Sequence, residues 1–271
     1  QVGYEDWWQD RQLKNEEGYT TDLVTQHGLH FIETHQNQPF CLYLAHECPH
    51  YPYQGPNDKG YRTTSNTQPG QGPRQDQDVA YAEMMSAMDR GIGAIVEKVQ
   101  ALNLAHNTFI FFCSDNGPTG PGSAGPLRGG KGTTWEGGHR VPAIAYWPGV
   151  IEAGVTTHQT ALGMDLFPTF ASLAHAPVHR PLDGVDLSPV LKGENDLPLR
   201  TLFWRHGKRK AVRYEQWKWV ESTEDSGLFN LSDDLGEQND LSQQMPDKTK
   251  EMRRLFQVWE KDVTSHGQMR T

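Results

Sequence analysis

The sequence has few cysteines and no long apolar run. Its three cysteines, Cys41, Cys48 and Cys113, show no CxxC spacing. Neither a disulfide framework nor a zinc ribbon is therefore predicted. Every stretch long enough to cross a bilayer contains charged or polar residues, so we expect no membrane span.

Basic residues are also in deficit. The chain has 25 Lys and Arg against 34 Asp and Glu, a net charge of −9, and no long basic run. Because nucleic-acid binding needs clustered cations, nucleic acid is not an expected partner. The first twelve residues lack the charged-then-apolar layout of a signal peptide, so we expect them to lie within a longer protein.

The first two thirds of the chain alternate between helical and strand-like patterns. Apolar residues at helical spacing predict helices over residues 19–36, 76–104 and 165–174. Short apolar runs predict strands at residues 40–45, 108–113 and 143–147. This alternation indicates an α/β domain over residues 1–195, with a largely parallel sheet sandwiched by helices.

The pattern changes after Pro198. Four short strand-like runs, at residues 201–205, 210–214, 217–221 and 227–230, are followed by a helical pattern over residues 248–263. We therefore predict a small C-terminal subdomain over residues 196–271, built from an antiparallel sheet and one helix.

Asp115 and Asn116 follow the predicted strand 108–113. In open α/β sheets, ligands bind beyond the carboxyl ends of the strands. A carboxylate beside a carboxamide offers the oxygen ligands that Ca²⁺ or Mg²⁺ prefers. The same Asp-Asn-Gly sequence is also typical of a simple turn.

Lys131 lies in the glycine-rich segment 127–138, where missing side chains let the backbone approach an anion closely. This pattern predicts an oxyanion site. Residues 125–131 also match the start of a P-loop, but Gly132 stands where a Ser or Thr should bind magnesium, and neither a strand before it nor a helix after it is evident. Nucleotide binding is therefore not favoured.

The segment His46-Glu-Cys-Pro-His50 follows the predicted strand 40–45. Two imidazoles and a thiol are compatible with zinc, yet a fourth ligand at a recognisable spacing is missing. His50 fits equally a donor or acid facing an anion and a structural loop histidine.

Taken together, these segments resemble the type I sulfatases, or arylsulfatases, of the alkaline-phosphatase-like superfamily. The resemblance rests on F-C-L-Y-L-A (40–45), P-H-Y-P (49–52), F-C-S-D-N-G (112–117), and L-R-G-G-K-G-T-T-W-E-G-G (127–138) followed by H-R-V-P (139–142). W-K-W-V (217–220), L-F-N-L (228–231) and Asp240-Leu241 are similar to the family's C-terminal sheet and helix. The resemblance spans essentially the whole chain and is closest to the C-terminal part of the family.

The resemblance implies hydrolysis of sulfate esters, mainly of sulfated carbohydrates, with an aryl sulfate as a surrogate substrate. It implies that Asp115 and Asn116 bind calcium, with magnesium as an alternative, and that His50 and Lys131 contact the sulfate. It also implies a periplasmic, secreted or lysosomal protein.

The family's nucleophile is a formylglycine made within a C-x-P-S/A-R motif, and no cysteine of this chain has that sequence after it. The resemblance therefore implies that the nucleophile lies upstream of this chain. One alternative is a phosphatase or phosphonate hydrolase of the same superfamily, although those show His where this chain has Asn116. Another is a half-site that binds sulfate without turnover.

Overall fold

A computed structural model describes residues 7–60, 74–223 and 225–267. The helices are α1 (Thr20–His35), α2 (Gln77–Ala101), α3 (Glu136–His139), α4 (Leu166–Leu173), α5 (Ser188–Leu191) and α6 (Pro246–Gly267). The strands are β1 (Trp8–Gln9), β2 (Gln12–Leu13), β3 (Ile110–Cys113), β4 (Ala143–Tyr146), β5 (Thr201–His206), β6 (Arg209–Tyr214), β7 (Trp217–Glu221) and β8 (Ser226–Asn230). Contacts divide the chain into two compact units. The first is Gln1–Phe109 with Gly120–Gly122, and the second is Ile110–Thr119 with Ser123–Thr271.

The first unit is built on the packed pair α1 and α2. Ile32 of α1 and Ile95 of α2 are buried, as their helical spacing predicts. The two helices come close at Gly91, where an added Cβ would lie 2.4 Å from Thr25 Oγ1. Both helices predicted for this region are confirmed. Part of the long loop predicted to follow residue 45 lies outside the described residues, at positions 61–73.

Residues 40–45 form no strand in the structure. Their side chains alternate between half-buried and exposed, and Tyr43 is 86% exposed. This is the exposure pattern of an extended chain, but a β-ladder also needs hydrogen bonds to a neighbouring strand. No described strand pairs with this segment, so the predicted strand is not confirmed.

In the second unit, β3 and β4 form a two-stranded antiparallel sheet. The register runs from Ile110 opposite Tyr146 to Cys113 opposite Ala143. A parallel pair needs a crossover, usually a helix, whereas the residues between β3 and β4 form loops and the single-turn helix α3. The two strands are found where the sequence predicts them. The parallel sheet expected from the alternation is not confirmed in the described residues.

The C-terminal sheet has the strand order β5-β6-β7-β8, with every pair antiparallel. One face packs against α6 through a cluster of buried residues, Val212, Trp219, Leu228, Met252 and Phe256. The other face packs against Trp135 of the glycine-rich segment. The predicted antiparallel sheet with one helix is confirmed, and its second face holds the segment that contains Lys131.

A buried ion pair connects the residues around the proposed domain boundary. Arg200, just before β5, forms a bidentate pair with Asp165, which is fully buried before α4. Asp165 also accepts hydrogen bonds from the backbone of Leu162 and Val185. Both sides of the pair belong to the second unit, and a boundary at residue 195 stays a prediction. No helix within the described ranges is long and apolar enough to cross a membrane.

Candidate functional site

The chain leaves β3 in a tight turn that carries two oxygen-bearing side chains. Ser114 N donates to Pro142 O at 3.3 Å, and Ser114 Oγ donates to Asn116 O at 3.1 Å. Asp115 is exposed and Asn116 is half-buried. Asn116 Nδ2 donates to Asp115 Oδ2, so the carboxylate and the carboxamide lie side by side. This turn provides the pair of oxygen donors that the sequence predicts.

The glycine-rich segment folds directly against this turn. Lys131 N donates to Pro118 O at 3.0 Å, and Gly117 N donates to Gly138 O at 3.0 Å. A Cβ at Gly117 would lie 1.8 Å from Gly137 O, so the two backbones can only meet here without a side chain. The structure therefore brings Asp115, Asn116 and Lys131 into one group of adjoining loops.

Lys131 lies at the exposed part of its loop, which is closed by its own hydrogen bonds. Gly137 N donates to Arg128 O at 2.7 Å, and Thr133 Oγ1 donates to Gly130 O at 2.8 Å. The Arg128 guanidinium lies 3.8 Å from the centre of the Trp135 ring. Among the residues that the structure describes, no carboxylate forms an ion pair with Lys131, so its charge is available to an anion.

Helix α3, which ends the glycine-rich segment, is anchored by a buried cluster of three charges. Lys218 Nζ donates to Glu136 Oε1 at 2.8 Å and forms an ion pair with Glu237 Oε1, also at 2.8 Å. The side chains of Lys218 and Glu237 are 0% exposed and that of Glu136 is 1% exposed. Glu237 Oε2 accepts a hydrogen bond from Glu136 N at 2.7 Å. The sheet strand β7 is thereby joined to the first residue of α3.

The two carboxyl groups of this cluster are shifted in opposite directions. Burial raises the pKa of Glu136, but the charge and hydrogen bond of Lys218, helped by Arg213, outweigh it, so the net shift is downward. Burial raises the pKa of Glu237, and Lys218 offsets it only in part. One ammonium is shared by two buried carboxylates. Glu237 is therefore the carboxyl group of the cluster that binds a proton more readily.

His139, the last residue of α3, completes the cluster as a neutral ring. Burial and the nearby Lys218 charge lower the pKa of His139 to about 4. Lys218 Nζ lies 3.3 Å from His139 Nε2, which therefore acts as an acceptor. The ring stacks on Trp204 with centroids 4.3 Å apart.

The hairpin of β5 and β6 contacts the loop next to Lys131. His206 Nδ1 donates to Gly132 O at 3.0 Å, and Arg209 donates to the same oxygen at 2.9 Å. Gly132 has φ of +82°, a conformation that favours glycine. An imidazole and a guanidinium are thus fixed one residue from Lys131.

His50 belongs to the first unit, whereas Asp115, Asn116 and Lys131 belong to the second. His50 Nδ1 donates to Tyr51 O at 2.9 Å, and the two rings lie 4.6 Å apart. Burial raises the pKa of the nearby Cys48 to about 11, so this thiol stays protonated at neutral pH. Within the described ranges, no group of three metal-ligating His, Cys, Asp or Glu side chains occurs.

The sequence analysis did not identify Glu136, Lys218 and Glu237 as a cluster. A partial signal exists in W-K-W-V, because a lysine between two tryptophans in a strand buried on both faces needs a buried counter-ion. The partners of Lys218 are 82 residues before it and 19 residues after it in the sequence. Local patterns do not reveal pairs of that separation.

A family model described as Sulfatase matches residues 1–176. The chain belongs to the sulfatase family. It is 36% identical over 259 residues to arylsulfatase A of Bos taurus, a match that covers 82% of this chain and 47% of the relative. It is 39% identical over 229 residues to N-acetylgalactosamine-6-sulfatase of Mus musculus, covering 78% of this chain and 41% of the relative. The chain thus spans less than half the length of these two sulfatases.

Solved structures give the same result. A structure of Ps i-CgsB in complex with k-i-k-neocarrahexaose superposes with a TM-score of 0.78 and 31% identity, covering 92% of this chain and 56% of that one. A structure in complex with D-glucosamine-2-N,6-O-disulfate superposes with a TM-score of 0.73 at 18% identity, covering 97% of this chain and 74% of that one. The second likeness shows a shared fold. The resemblance to sulfatases found in the sequence motifs is confirmed.

Proposed function

We propose that this chain is part of an enzyme that hydrolyses the sulfate esters of carbohydrates. Family membership supports the reaction, and one relative is named for N-acetylgalactosamine-6-sulfate chemistry. The saccharide complex of Ps i-CgsB, at 31% identity, supports a carbohydrate substrate. A small aryl sulfate serves as a surrogate. Because sulfated glycans lie outside the cytosol, we infer a periplasmic, secreted or lysosomal protein.

One observation carries the proposal. The Asp115-Asn116 turn and the Lys131 loop are fastened together by the hydrogen bonds from Lys131 N to Pro118 O and from Gly117 N to Gly138 O. A carboxylate beside a carboxamide is thereby kept next to a loop whose ammonium forms no ion pair with the residues that the structure describes. This combination suits an ester of a strong oxyacid, whose charged oxygens need positive charge on more than one side.

Asp115 and Asn116 would hold a calcium ion. Their oxygens are hard donors, and the Asn116 amide bonded to Asp115 keeps the two side chains adjacent. Calcium takes six to eight oxygen ligands, so the rest of the longer protein would supply the others. Magnesium accepts the same donors. When bound, the ion supplies positive charge that polarises the sulfate.

Lys131 and His50 would contact the sulfate group. The Lys131 ammonium offers three donors to the sulfate oxygens and stabilises the negative charge that grows on the leaving oxygen. The bond from His50 Nδ1 to Tyr51 O fixes the orientation of the imidazole ring. Either group is suited to protonate the leaving alcohol. We place the formylglycine nucleophile upstream, in the longer protein.

The same hypothesis accounts for the extended segment 40–45. We infer that this segment joins a largely parallel sheet whose other strands come from the longer protein. The alternating exposure of its side chains and the likeness to whole sulfatase structures support this inference.

The test is sulfate release by the full-length protein from 4-nitrophenyl sulfate and from a panel of sulfated disaccharides, with and without calcium. Lys131→Ala should lower kcat/KM by two to three orders of magnitude, on the order of the loss of a transition-state charge partner. Lys261→Ala, a change of an exposed lysine on α6, should leave kcat/KM unchanged. Wild-type turnover by Lys131→Ala would refute the site.

A further inference from the structure

We propose that the tip of the β5–β6 hairpin is a second anion subsite, which binds a further sulfate or carboxylate group of an acidic oligosaccharide. The inference rests on the proposed function and extends it to the substrate class. Residues 205–210 read Arg-His-Gly-Lys-Arg-Lys, so five of the six residues are basic in a chain of net charge −9. The run is too short to predict a nucleic-acid-binding surface. In the fold, these basic residues lie together around one hairpin turn.

The turn at the hairpin tip exposes its central lysine. β5 ends at His206 and β6 begins at Arg209, which leaves Gly207 and Lys208 as a two-residue loop. Gly207 has φ of +60° and Lys208 does not have a positive φ, the pattern of a type II′ turn. Lys208 is exposed. The hairpin therefore presents Lys208 at a fixed position and not on a long loop.

The hairpin tip lies beside the proposed sulfate-binding lysine. His206 Nδ1 and Arg209 both donate to Gly132 O, and the Cα atoms of Gly132 and Lys131 are about 3.8 Å apart, as in any trans peptide. One carbonyl uses only one of the five N–H groups of Arg209 and one nitrogen of His206. Both side chains are thus positioned by the loop while keeping further hydrogen-bonding capacity.

Acidic residues neutralise the first and last residues of the basic run, which lie opposite each other across the hairpin. Arg205 pairs with Glu260 at 3.5 Å, and Lys210 pairs with Glu260 at 3.6 Å and with Glu221 at 3.7 Å. In the part of the chain that the structure describes, no carboxylate pairs with His206, Lys208 or Arg209. The scissile sulfate is already assigned to Lys131. An additional group of cations beside it therefore favours a substrate that carries a second anionic group.

Kinetics of the full-length enzyme on a disulfated and a monosulfated disaccharide with the same scissile ester test the proposal. Lys208→Glu should lower the ratio of the two kcat/KM values roughly tenfold, mainly through KM for the disulfated substrate. Lys261→Glu makes the same charge change on α6 and should leave the ratio unaltered. An unaltered ratio in Lys208→Glu, or an equal loss for both substrates, would overturn the subsite.

Binding separates this proposal from the proposed function. Titration of the disulfated disaccharide into wild-type protein and into Lys208→Glu should show a roughly tenfold weaker affinity in the variant, and the difference should shrink as salt is raised. Equal affinities would overturn the subsite. If neither disaccharide is hydrolysed yet the affinity difference is found, the subsite stands and the proposed reaction fails.

Discussion

At the scale of single residues, Lys218 has the most demanding environment in the described part of the chain. Its ammonium is fully buried between Glu136 and Glu237. Three charges removed from water are stable only while all of the partners are present, because an uncompensated buried charge costs several kcal/mol. The cluster is therefore a weak source of net stability and a strong constraint on sequence.

Lys218→Met should destabilise the full-length protein by about 3 to 5 kcal/mol, because it removes the ammonium that lies 2.8 Å from both Glu136 and Glu237. Arg140 and Arg213 lie farther from Glu136, at 3.4 and 3.7 Å. Adding Glu237→Gln should recover part of the loss, since one buried carboxylate is removed. Denaturant unfolding of the three proteins measures both effects, with Lys261→Met as the matched surface control. A Lys218→Met protein as stable as the control would contradict this account.

His139 should make stability depend on pH. Its pKa is lowered to about 4 in the folded protein, whereas an unfolded histidine titrates near 6.5. Unfolding therefore takes up a proton between these values, so stability is full above about pH 6.5 and falls as the pH is lowered toward 4.

His139 should lower the free energy of unfolding by about 2 kcal/mol between pH 7 and pH 5, as follows from the difference between its folded and unfolded pKa values. Calorimetric melting of the full-length protein and of His139→Gln at both pH values isolates it from the other histidines. The variant should lose less stability than the wild type on acidification. Equal losses would show that His139 is charged in the folded protein.

Asp115 should control the response of stability to calcium. A ligand that binds only the folded state raises the melting temperature, so calcium should stabilise the wild-type full-length protein. Asp115→Ala should reduce that shift to near zero and lower sulfate release by orders of magnitude. Measurement of melting with calcium and with a chelator tests the assignment without relying on turnover. If calcium raised the melting temperature of Asp115→Ala as much as that of the wild type, the ion would bind at another site.

At the scale of elements, the junction of the β3 turn and the glycine-rich segment depends on a missing side chain. Gly117→Ala places a Cβ 1.8 Å from Gly137 O, so one of the two backbones must move. We expect a loss of kcat/KM of at least tenfold, since small displacements of positioned groups are costly.

A second glycine provides a control, because its replacement by alanine should stabilise the protein. Gly93 lies inside α2, and nothing lies within 4 Å of a Cβ added there. Gly93→Ala should stabilise the full-length protein by about 0.5 to 1 kcal/mol through helix propensity without a change in kcat/KM. Equal kinetics for the two variants would contradict the proposed role of the Gly117 junction.

Elements with a strong local period were predictable from sequence. The predicted bounds of α1, α2 and the four C-terminal strands agree with the structure to within a few residues. Each of these elements carries its own periodic pattern of apolar residues. The parallel sheet was not confirmed, because pairing partners are set by distant segments that a local pattern does not contain. The motif residues of the site were identified by resemblance, and Glu136 was missed because its partners are separated from it in sequence.

At the scale of the whole molecule, the chain carries apolar side chains that face water. Tyr43 is 86% exposed, and Ile144 and Phe167 are each 62% exposed. Single exposed residues are ordinary, but the chain spans less than half of two of its relatives. We infer that the longer protein covers part of this surface.

This 271-residue polypeptide produced alone should therefore bind a hydrophobic dye and aggregate, unlike the full-length protein. Ile144→Lys and Tyr43→Lys should improve the solubility of the isolated polypeptide, with Val263→Lys on α6, 41% exposed, as a comparison. Light scattering measures the effect. A monomeric polypeptide with no dye binding would show that these side chains belong to a true outer surface.

The anchoring of the Lys131 loop by the C-terminal sheet also limits how such proteins can be recombined. Glu136 and His139 come from one segment, and Lys218 and Glu237 come from another. A chimera that takes the glycine-rich segment from one relative and the C-terminal sheet from a second must inherit matching partners at all four positions. The two segments therefore behave as a single unit of inheritance, although about 80 residues separate Glu136 from Lys218.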